Sequence, residues 1–206
     1  MIRVFAALAL LAVFPILLLV AVAIAIEDGM PVLFRQRRIG KDGISFELLK
    51  FRSMRHGMSG PALTQSRDRR ITRVGYFIRR YKLDELPQLW NVLRGELSLI
   101  GPRAEVPGFV DLSNPLWRST LSVKPGITGL ATLVYRAEED VLAQVGVPEQ
   151  YYCAVLLPDK LRLNLAYSHR RNMRTDLMLL GLTVLFSISP RTHNSNRVRQ
   201  MFLPGS

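Results

Sequence analysis

The sequence is poor in the residues that most often hold metal ions or cross-link a chain. It has one cysteine, Cys153, and three histidines among its 206 residues. A single cysteine excludes an internal disulfide framework and a cysteine-rich zinc site. His56, His169 and His193 lie far apart and show no metal-ligand spacing. The usual kinds of structural zinc centre are therefore excluded.

Acidic residues are also scarce, and the imbalance is local. The chain has 28 Lys and Arg against 16 Asp and Glu, a net charge of +12. Residues 35–82 hold 14 of the basic side chains and only three acidic ones, so nearly all the excess lies there. Such a charge implies an anionic partner: nucleic acid, an acidic membrane surface or a phosphorylated substrate. The hydrophobic fraction of 49% excludes a disordered chain, and the length favours one domain with at most an appendage.

Residues 4–26 form an unbroken apolar run that contains one proline, Pro15. The run could be a signal peptide, a spanning helix or a helix that enters the membrane and returns to the same side. A signal peptide is the weakest reading, because its apolar core usually has about 7–15 residues. Pro15 removes a helical hydrogen bond mid-run, and Arg3 and Arg35 place basic residues on both flanks. These residues favour spanning and re-entrant topologies equally, and both put the bulk of the chain in the cytoplasm.

The rest of the chain indicates an α+β domain that is mainly helical. Residues 32–34 and 46–51 have strand composition, and the turn signal at 42–43 between them predicts a β-hairpin. Asp84 can cap a helix that Gly95 ends. Further helices are predicted over 73–82, 150–155, 160–174 and 177–188. We therefore divide the chain into a membrane segment at 1–30, a main domain at 31–190 and a polar tail at 191–206.

One acidic pair, Asp84 and Glu85, comes directly after the basic block. On spacing alone, the favoured explanation is structural, because acidic residues at a helix start complement the helix dipole. The alternative is chemical: a carboxylate can bind Mg²⁺ together with substrate phosphates, or attack phosphorus as a nucleophile. Phosphoryl transfer also needs cations around the reacting oxygens. The basic side chains near the pair in sequence are Lys50, Arg52, Arg79, Arg80, Lys82, Arg103 and Arg136.

Six ordered motifs carry a resemblance to a known family. They are PVLFRQRRIG at 31–40, KFRSM at 50–54, RITRVG at 70–75, LDELPQLWNVL at 83–93, SLIGPR at 98–103 and KPGITGLA at 124–131. The chain resembles the monotopic phosphoglycosyl transferases, bacterial sugar transferases also called polyprenyl-phosphate sugar phosphotransferases. The match is close over about residues 1–136 and looser beyond. Within this family, the chain is similar to the small members that consist of the catalytic domain alone.

The resemblance implies a reaction and its participants. A nucleoside-diphosphate sugar, usually linked to UDP, would donate sugar-1-phosphate to undecaprenyl phosphate. Asp84 would be the nucleophile and form a covalent phosphosugar intermediate. Mg²⁺ would lie nearby, with Asp84 and Glu85 as its carboxylates, and Glu85 would act as metal partner or as base. The product would begin the membrane stage of glycoconjugate assembly.

The resemblance also implies further site residues and a topology. Lys50, Arg79, Arg103 and Arg136 would contact phosphates, and Gly101 and Pro102 would shape the loop that carries Arg103. The N-terminal helix would be re-entrant and broken at Pro15, with interfacial amphipathic helices around an active site on the cytoplasmic face of the inner membrane. Anionic lipids would be further partners, and nucleic acid would not.

Two departures from the family pattern bear on the identity of the donor. Residues 132–136 read TLVYR, where the family often has a glutamine and then an Asn-Gly-Arg-like run. Asn164 stands where an aspartate is expected. Charge alone also allows a nucleic-acid-binding protein or a non-catalytic membrane-surface protein. The acidic pair beside the basic helix argues against DNA binding, because it would repel phosphates.

Overall fold

A computed structural model describes residues 2–58, 60–61, 63–66 and 68–203 of the chain. It is mainly helical, as the sequence predicts, and it has two small sheets, of which the sequence predicts only the hairpin. The helices are α1 (Ile2–Asp28), α2 (Arg73–Arg80), α3 (Gln88–Arg94), α4 (Pro115–Leu121), α5 (Leu130–Val134), α6 (Glu138–Leu142), α7 (Pro148–Tyr151), α8 (Leu157–Arg170), α9 (Met173–Ile188) and α10 (Ser195–Phe202). The strands are β1 (Leu33–Ile39), β2 (Ser45–Phe51), β3 (Ser98–Ile100) and β4 (Gly126–Thr128).

Helix α1 contains the apolar N-terminal run. Among the described residues it is the one helix long and apolar enough to cross a membrane, and most of its apolar side chains are exposed. The break predicted at Pro15 does not appear as an interruption, because helical structure continues through this residue. An internal proline removes one hydrogen bond and bends a helix more often than it ends one inside an apolar environment.

Both halves of α1 pack against the main domain. Near its start, Ala6 is fully buried against Leu48 of β2 and Val92 of α3. Near its end, Ile24 is buried against Ile78 of α2. The helix is therefore attached to the domain at two separated points rather than by one end.

Strands β1 and β2 form the predicted hairpin directly after α1. They pair antiparallel, from Leu33 opposite Phe51 to Ile39 opposite Ser45. The connecting turn places Asp42 and the following Gly43 at positive φ, a conformation that glycine adopts freely and aspartate tolerates. The hairpin prediction is thus confirmed, and β2 supplies Lys50 to the site described below.

The second sheet is a short parallel pair of β3 and β4. Their ends approach so closely that a Cβ on Gly126 would lie 2.1 Å from the backbone nitrogen of Gly101. Gly101 donates its N–H to Thr128 O at 2.9 Å, and Pro102 O accepts from Gly126 N at 2.8 Å. This backbone pairing fixes the loop that carries Arg103.

The largest cluster of buried apolar side chains joins α5, α8, α9 and α10. The structure differs from the sequence prediction at both later helices. Helix α9 begins at Met173, because Asn172 forms a capping box with Thr175. Within the predicted polar tail, α10 buries Val198 and Phe202 in this cluster. Residues up to Leu203 therefore pack as part of the main domain.

Candidate active site

The acidic pair lies in a tight turn between α2 and α3. Lys82 adopts a left-handed conformation with φ of 56°, and a single 3-10 turn follows over Leu83–Glu85. The turn directs both carboxylates inward, so that Asp84 is 6% exposed and Glu85 7%. Helix α3 begins only at Gln88, and neither acid caps it. Asp84 therefore is not the helix cap that the sequence predicts, and a role as a solvated helix start does not explain the burial of two carboxylates.

Two cations hold Glu85. Its Oε1 accepts from Lys50 Nζ at 3.3 Å and from Arg103 Nη2 at 3.0 Å. Burial alone would raise the pKa of this carboxyl, but Arg103 and Lys50 outweigh it and keep the pKa well below its usual range. Glu85 therefore carries its negative charge at neutral pH as part of a three-residue ionic cluster.

Asp84 is in a different electrostatic position. Its Oδ1 is buried and has no hydrogen-bond partner among the described residues. Burial, and next the charge of Glu85, raise the pKa of Asp84, while Lys50 and Lys82 act in the opposite direction. A buried polar atom without a partner is costly unless it has a function or binds a group from outside the chain. Asp84 is thus the carboxylate of the pair that is available for chemistry.

The pKa values of Lys50 and Arg103, the two cations that contact Glu85, shift in opposite directions. Burial lowers the pKa of Lys50 to about 8, although Glu85 partly compensates. The charge of Glu85 raises the pKa of Arg103. The structure brings Lys50 and Arg103 into contact with Glu85 of the acidic pair, and their predicted contacts with phosphates stay a prediction.

The partners of Arg79 and Arg136 lie outside the acidic pair. Arg79 donates to Ser53 Oγ at 3.1 Å and forms an ion pair with Glu139. Arg136 donates to Phe186 O at 2.8 Å. Burial lowers the pKa of Arg136, and Glu85 and Asp84 oppose that shift, so its guanidinium lies within electrostatic reach of the pair. Neither arginine forms an ion pair with the acidic pair within the described ranges.

Two cavities border the turn that carries the acidic pair, and they share Lys82, Arg136 and Glu139. The first, which we call the inner cavity, extends from Arg103 beneath α4 and α8. Its lining includes Lys82, Arg103, Thr120, Thr132, Arg136 and Asn164. The second, the outer cavity, has a volume of about 380 Å³ and includes Tyr76, Arg79, Arg80, Lys82, Arg136 and His193 in its lining. The described structure thus offers a more enclosed and a more open space beside Lys82, which precedes Asp84 by two residues.

A buried polar network that the sequence did not predict forms part of the wall of the inner cavity, through Glu105, Glu138 and Lys160. Glu105 accepts a hydrogen bond from the hydroxyl of Tyr152 at 2.8 Å and pairs with Arg38 at 3.5 Å. Lys160 donates to the same hydroxyl at 3.3 Å and forms an ion pair with Glu138. No spacing pattern links these residues, because β1, the loop after β3, α6 and α8 each contribute and come together only in the fold.

Comparison of the sequence with known proteins identifies the family. Residues 2–189 match the model of a family described as bacterial sugar transferase. The chain belongs to that family, which confirms the resemblance found in the motifs.

Several curated relatives are similar to the chain. A UDP-N-acetylgalactosamine-undecaprenyl-phosphate N-acetylgalactosaminephosphotransferase of Aeromonas hydrophila is 44% identical over 133 residues, which cover 61% of this chain and 31% of the relative. A UDP-glucose:undecaprenyl-phosphate glucose-1-phosphate transferase of Xanthomonas campestris pv. campestris is 36% identical over 92% of this chain and 38% of the relative. The exopolysaccharide production protein PSS of Rhizobium leguminosarum bv. phaseoli is 42% identical over 61% of this chain and 67% of the relative. The chain spans less than half the length of the first two.

Proposed function

We propose that the protein transfers sugar-1-phosphate from a UDP-sugar to undecaprenyl phosphate through a phosphosugar bound covalently to Asp84. The observation that carries the proposal is the unpartnered, buried oxygen of Asp84 beside a glutamate already held by two cations. Similar proteins are named as transferases of this kind, with UDP-sugars and undecaprenyl phosphate as substrates. The product would start the assembly of a polysaccharide or another glycan at the membrane.

The reaction proceeds in two displacements at one phosphorus atom. In the first, a carboxylate oxygen of Asp84 attacks the phosphorus that bears the sugar. The bond from this phosphorus to the bridging oxygen breaks, and UMP leaves with that oxygen. In the second, an oxygen of undecaprenyl phosphate attacks the same phosphorus, the bond to Asp84 breaks, and the carboxylate is restored. Each step exchanges one P–O bond for another, as nucleophilic catalysis requires.

Glu85 supports these steps through its charge. A carboxylate whose pKa is held far below neutrality is a poor general base, and the phosphate of the lipid is already ionised. We therefore assign Glu85 to holding Lys50 and Arg103 in place, where their N–H groups can meet the charge that develops on the phosphoryl oxygens. Arg79 and Arg136 line the outer cavity and add cations for the phosphates that enter and leave.

Mg²⁺ is the cofactor that the proposal includes. No group of three or more metal-ligating side chains occurs in the part of the chain that the structure describes. The residues nevertheless fit this ion, because Mg²⁺ usually takes one or two carboxylates and completes its shell with waters and substrate phosphates. Asp84, with its free oxygen, would supply the protein ligand, and Glu85 borders the same position. The ion would neutralise phosphate charge in the transition state.

Removing divalent metal tests this assignment. We expect EDTA to lower UMP release by at least about 100-fold, since Lewis-acid stabilisation contributes several kcal/mol. Excess Mg²⁺ should restore the rate, and thermal unfolding should show that the protein is still folded in EDTA at the assay temperature. Unaltered UMP release in EDTA would contradict a metal at Asp84.

A donor screen tests the proposed function as a whole. Purified protein in detergent is mixed with undecaprenyl phosphate and a panel of nucleotide sugars, and release of the nucleoside monophosphate is measured. We expect UMP from at least one UDP-sugar, together with a lipid-linked sugar diphosphate. Absence of release from every donor would favour the alternative, a basic protein that binds membrane surfaces without catalysis.

We further propose that the protein is monotopic, with α1 entering and leaving the cytoplasmic leaflet. Glu27 accepts from the backbone N–H groups of Arg73 and Val74 at 2.8 Å, which ties the end of α1 to α2. Arg3 lies against Gly95, where an added Cβ would come within 2.4 Å of Arg3 Nη2. A straight spanning helix would separate positions 3 and 27 by about 36 Å, on opposite sides of the bilayer. The exposed apolar face of α1 and the basic block then face acyl chains and anionic headgroups.

Cysteine labelling tests the topology. Cys153 is exposed in the main domain and serves as the cytoplasmic reference. In a Cys153→Ser background, Ile2→Cys places the thiol at the start of α1. The variant has its single thiol at position 2, and the wild type has its single thiol at Cys153. We expect a membrane-impermeant maleimide to label each protein in inverted vesicles and neither protein in intact spheroplasts. Labelling at position 2 in intact spheroplasts, with Cys153 of the wild type protected, would show that α1 spans.

A further inference from the structure

We propose that the inner cavity binds the sugar ring of the donor and that Thr120, Thr132 and Asn164 determine which sugar is accepted. The inference rests on the proposed function and specifies its substrate. It also commits to an uncharged hexose or N-acetylhexosamine rather than a sugar acid.

The cavity lies where the sugar must be. Arg103 lines it and also binds Glu85, and Lys82 lines it two residues before Asp84. The sugar is bonded through one oxygen to the phosphorus that Asp84 attacks, so its ring lies in a space adjoining this turn. Both cavities adjoin the turn, so their positions alone do not show which one holds the sugar ring. They differ in how far their walls are buried, and this difference decides the assignment.

Enclosure assigns the inner cavity to the part of the donor that stays. Between the two displacements the phosphosugar remains on Asp84, while UMP leaves and the lipid phosphate enters. The inner cavity is lined by buried side chains such as Trp117 and Leu161, whereas exposed residues such as Tyr76 and Asp140 line the outer one. The cations Arg79 and Arg80 in the outer cavity suit phosphates that must exchange. The sugar therefore occupies the enclosed space.

The inner cavity has polar side chains that could form hydrogen bonds with a bound ligand. Thr120 is 4% exposed, and its Oγ1 has no hydrogen-bond partner among the described residues. Thr132 Oγ1 is buried and equally unpartnered, and no hydrogen bond is found for the side chain of Asn164 within the same ranges. Two such hydroxyls in one cavity cost free energy that a polyhydroxylated ligand recovers, after a rotation about χ1 where needed. The wall of Trp117 and Tyr135 offers apolar surface to the C–H face of a sugar ring.

The charges on the wall define the class of sugar. Three carboxylates line the cavity: Glu105, Glu138 and Glu139. Of its cations, Lys160 is already paired with Glu138 and Arg103 with Glu85, while Lys82 and Arg136 also line the outer cavity, where the phosphates exchange. A carboxylate on the sugar would therefore meet like charges and cations that already have a counter-ion or a phosphate to bind. An uncharged ring with hydroxyl or acetamido groups avoids this repulsion.

Donor selectivity in the full-length protein tests the inference. UMP release is measured as kcat/KM for UDP-glucose, UDP-galactose, their N-acetylhexosamine counterparts and UDP-glucuronate. The variants are Thr120→Val, Thr132→Val and Asn164→Leu, with Ser119→Ala as the control, an exposed hydroxyl on the same helix as Thr120. Threonine to valine keeps the shape and removes an unpartnered hydroxyl, so these two variants should fold with an unchanged or raised melting temperature.

We expect each cavity variant to change the ratio of kcat/KM between the preferred donor and its epimer by about tenfold or more, as loss of one hydrogen bond to substrate does. Ser119→Ala should leave the ratio unchanged, and UDP-glucuronate should be at least about tenfold poorer than the best donor. A wild type that releases UMP while all three variants keep its ratio within about twofold would overturn the sugar site alone. A preference for UDP-glucuronate would overturn the substrate class. A wild type with no UMP release from any donor would overturn both the inference and the proposed function.

Discussion

Asp84→Asn is expected to lower sugar-phosphate transfer by at least about 1,000-fold, because loss of a nucleophile removes the covalent route altogether. The substitution keeps the size of the side chain and removes only its charge. The variant should also be no less stable than the wild type. Burial already raises the pKa of Asp84, so a neutral amide is at least as well tolerated there. Transfer is followed with a radiolabelled UDP-sugar, and stability by thermal unfolding in detergent.

A matched control distinguishes loss of the nucleophile from a general effect of removing acidic charge. Asp42 is an exposed aspartate in the left-handed position of the hairpin turn, a conformation that asparagine adopts readily. Asp42→Asn should retain transfer and stability. Transfer by Asp84→Asn at a rate near that of the control would show that another group attacks phosphorus.

Glu85→Gln is expected to lower both activity and stability, although it is adjacent to Asp84 in the chain. A neutral amide at this position would leave Lys50 and Arg103 as buried cations without their counter-ion. Breaking a buried ion pair from one side costs about 3–5 kcal/mol, and the partial exposure of Arg103 places the expected loss near the lower end of that range. For a chain of this length the melting temperature should fall by about 6–12 °C.

A double substitution tests whether the loss comes from the ionic cluster. Lys50→Met removes one of the two stranded cations and keeps the apolar length of the side chain. The double variant should therefore be more stable than the sum of the two single changes predicts, by about 1 kcal/mol or more. Strict additivity would show that Glu85 and Lys50 do not interact as their 3.3 Å contact indicates.

The sequence predicted the parts of this protein that depend on local pattern. The turn signal at Asp42 and Gly43 specified the hairpin, and the apolar run specified α1. The order and spacing of the motifs, such as those at 83–93 and 98–103, specified the family, because each motif can be read directly from the sequence. The acidic pair and its two cations could be named for the same reason.

What depends on distant contacts could not be predicted. The composition of residues 191–206 is polar, yet Val198 and Phe202 reach the main core because α5 and α8 present a complementary surface. Asp84 is a residue type that often caps helices, and it stands just before one in the sequence. In the fold, the left-handed conformation of Lys82 and the 3-10 turn bury its side chain instead. Glu105, Tyr152 and Lys160 show no shared pattern, since they meet only after β3, the segment following α7 and α8 have packed.

The most direct test of a covalent intermediate on Asp84 is the intact mass of the protein after reaction with a preferred UDP-sugar and Mg²⁺, without undecaprenyl phosphate. We expect a species heavier by one phosphosugar, formed together with UMP and located by peptide mapping on Asp84. The adduct should disappear when undecaprenyl phosphate is added, and it should not form in Asp84→Asn. An adduct on another residue would contradict a covalent intermediate on Asp84. So would UMP release without any adduct, by a protein that still transfers sugar phosphate to the lipid.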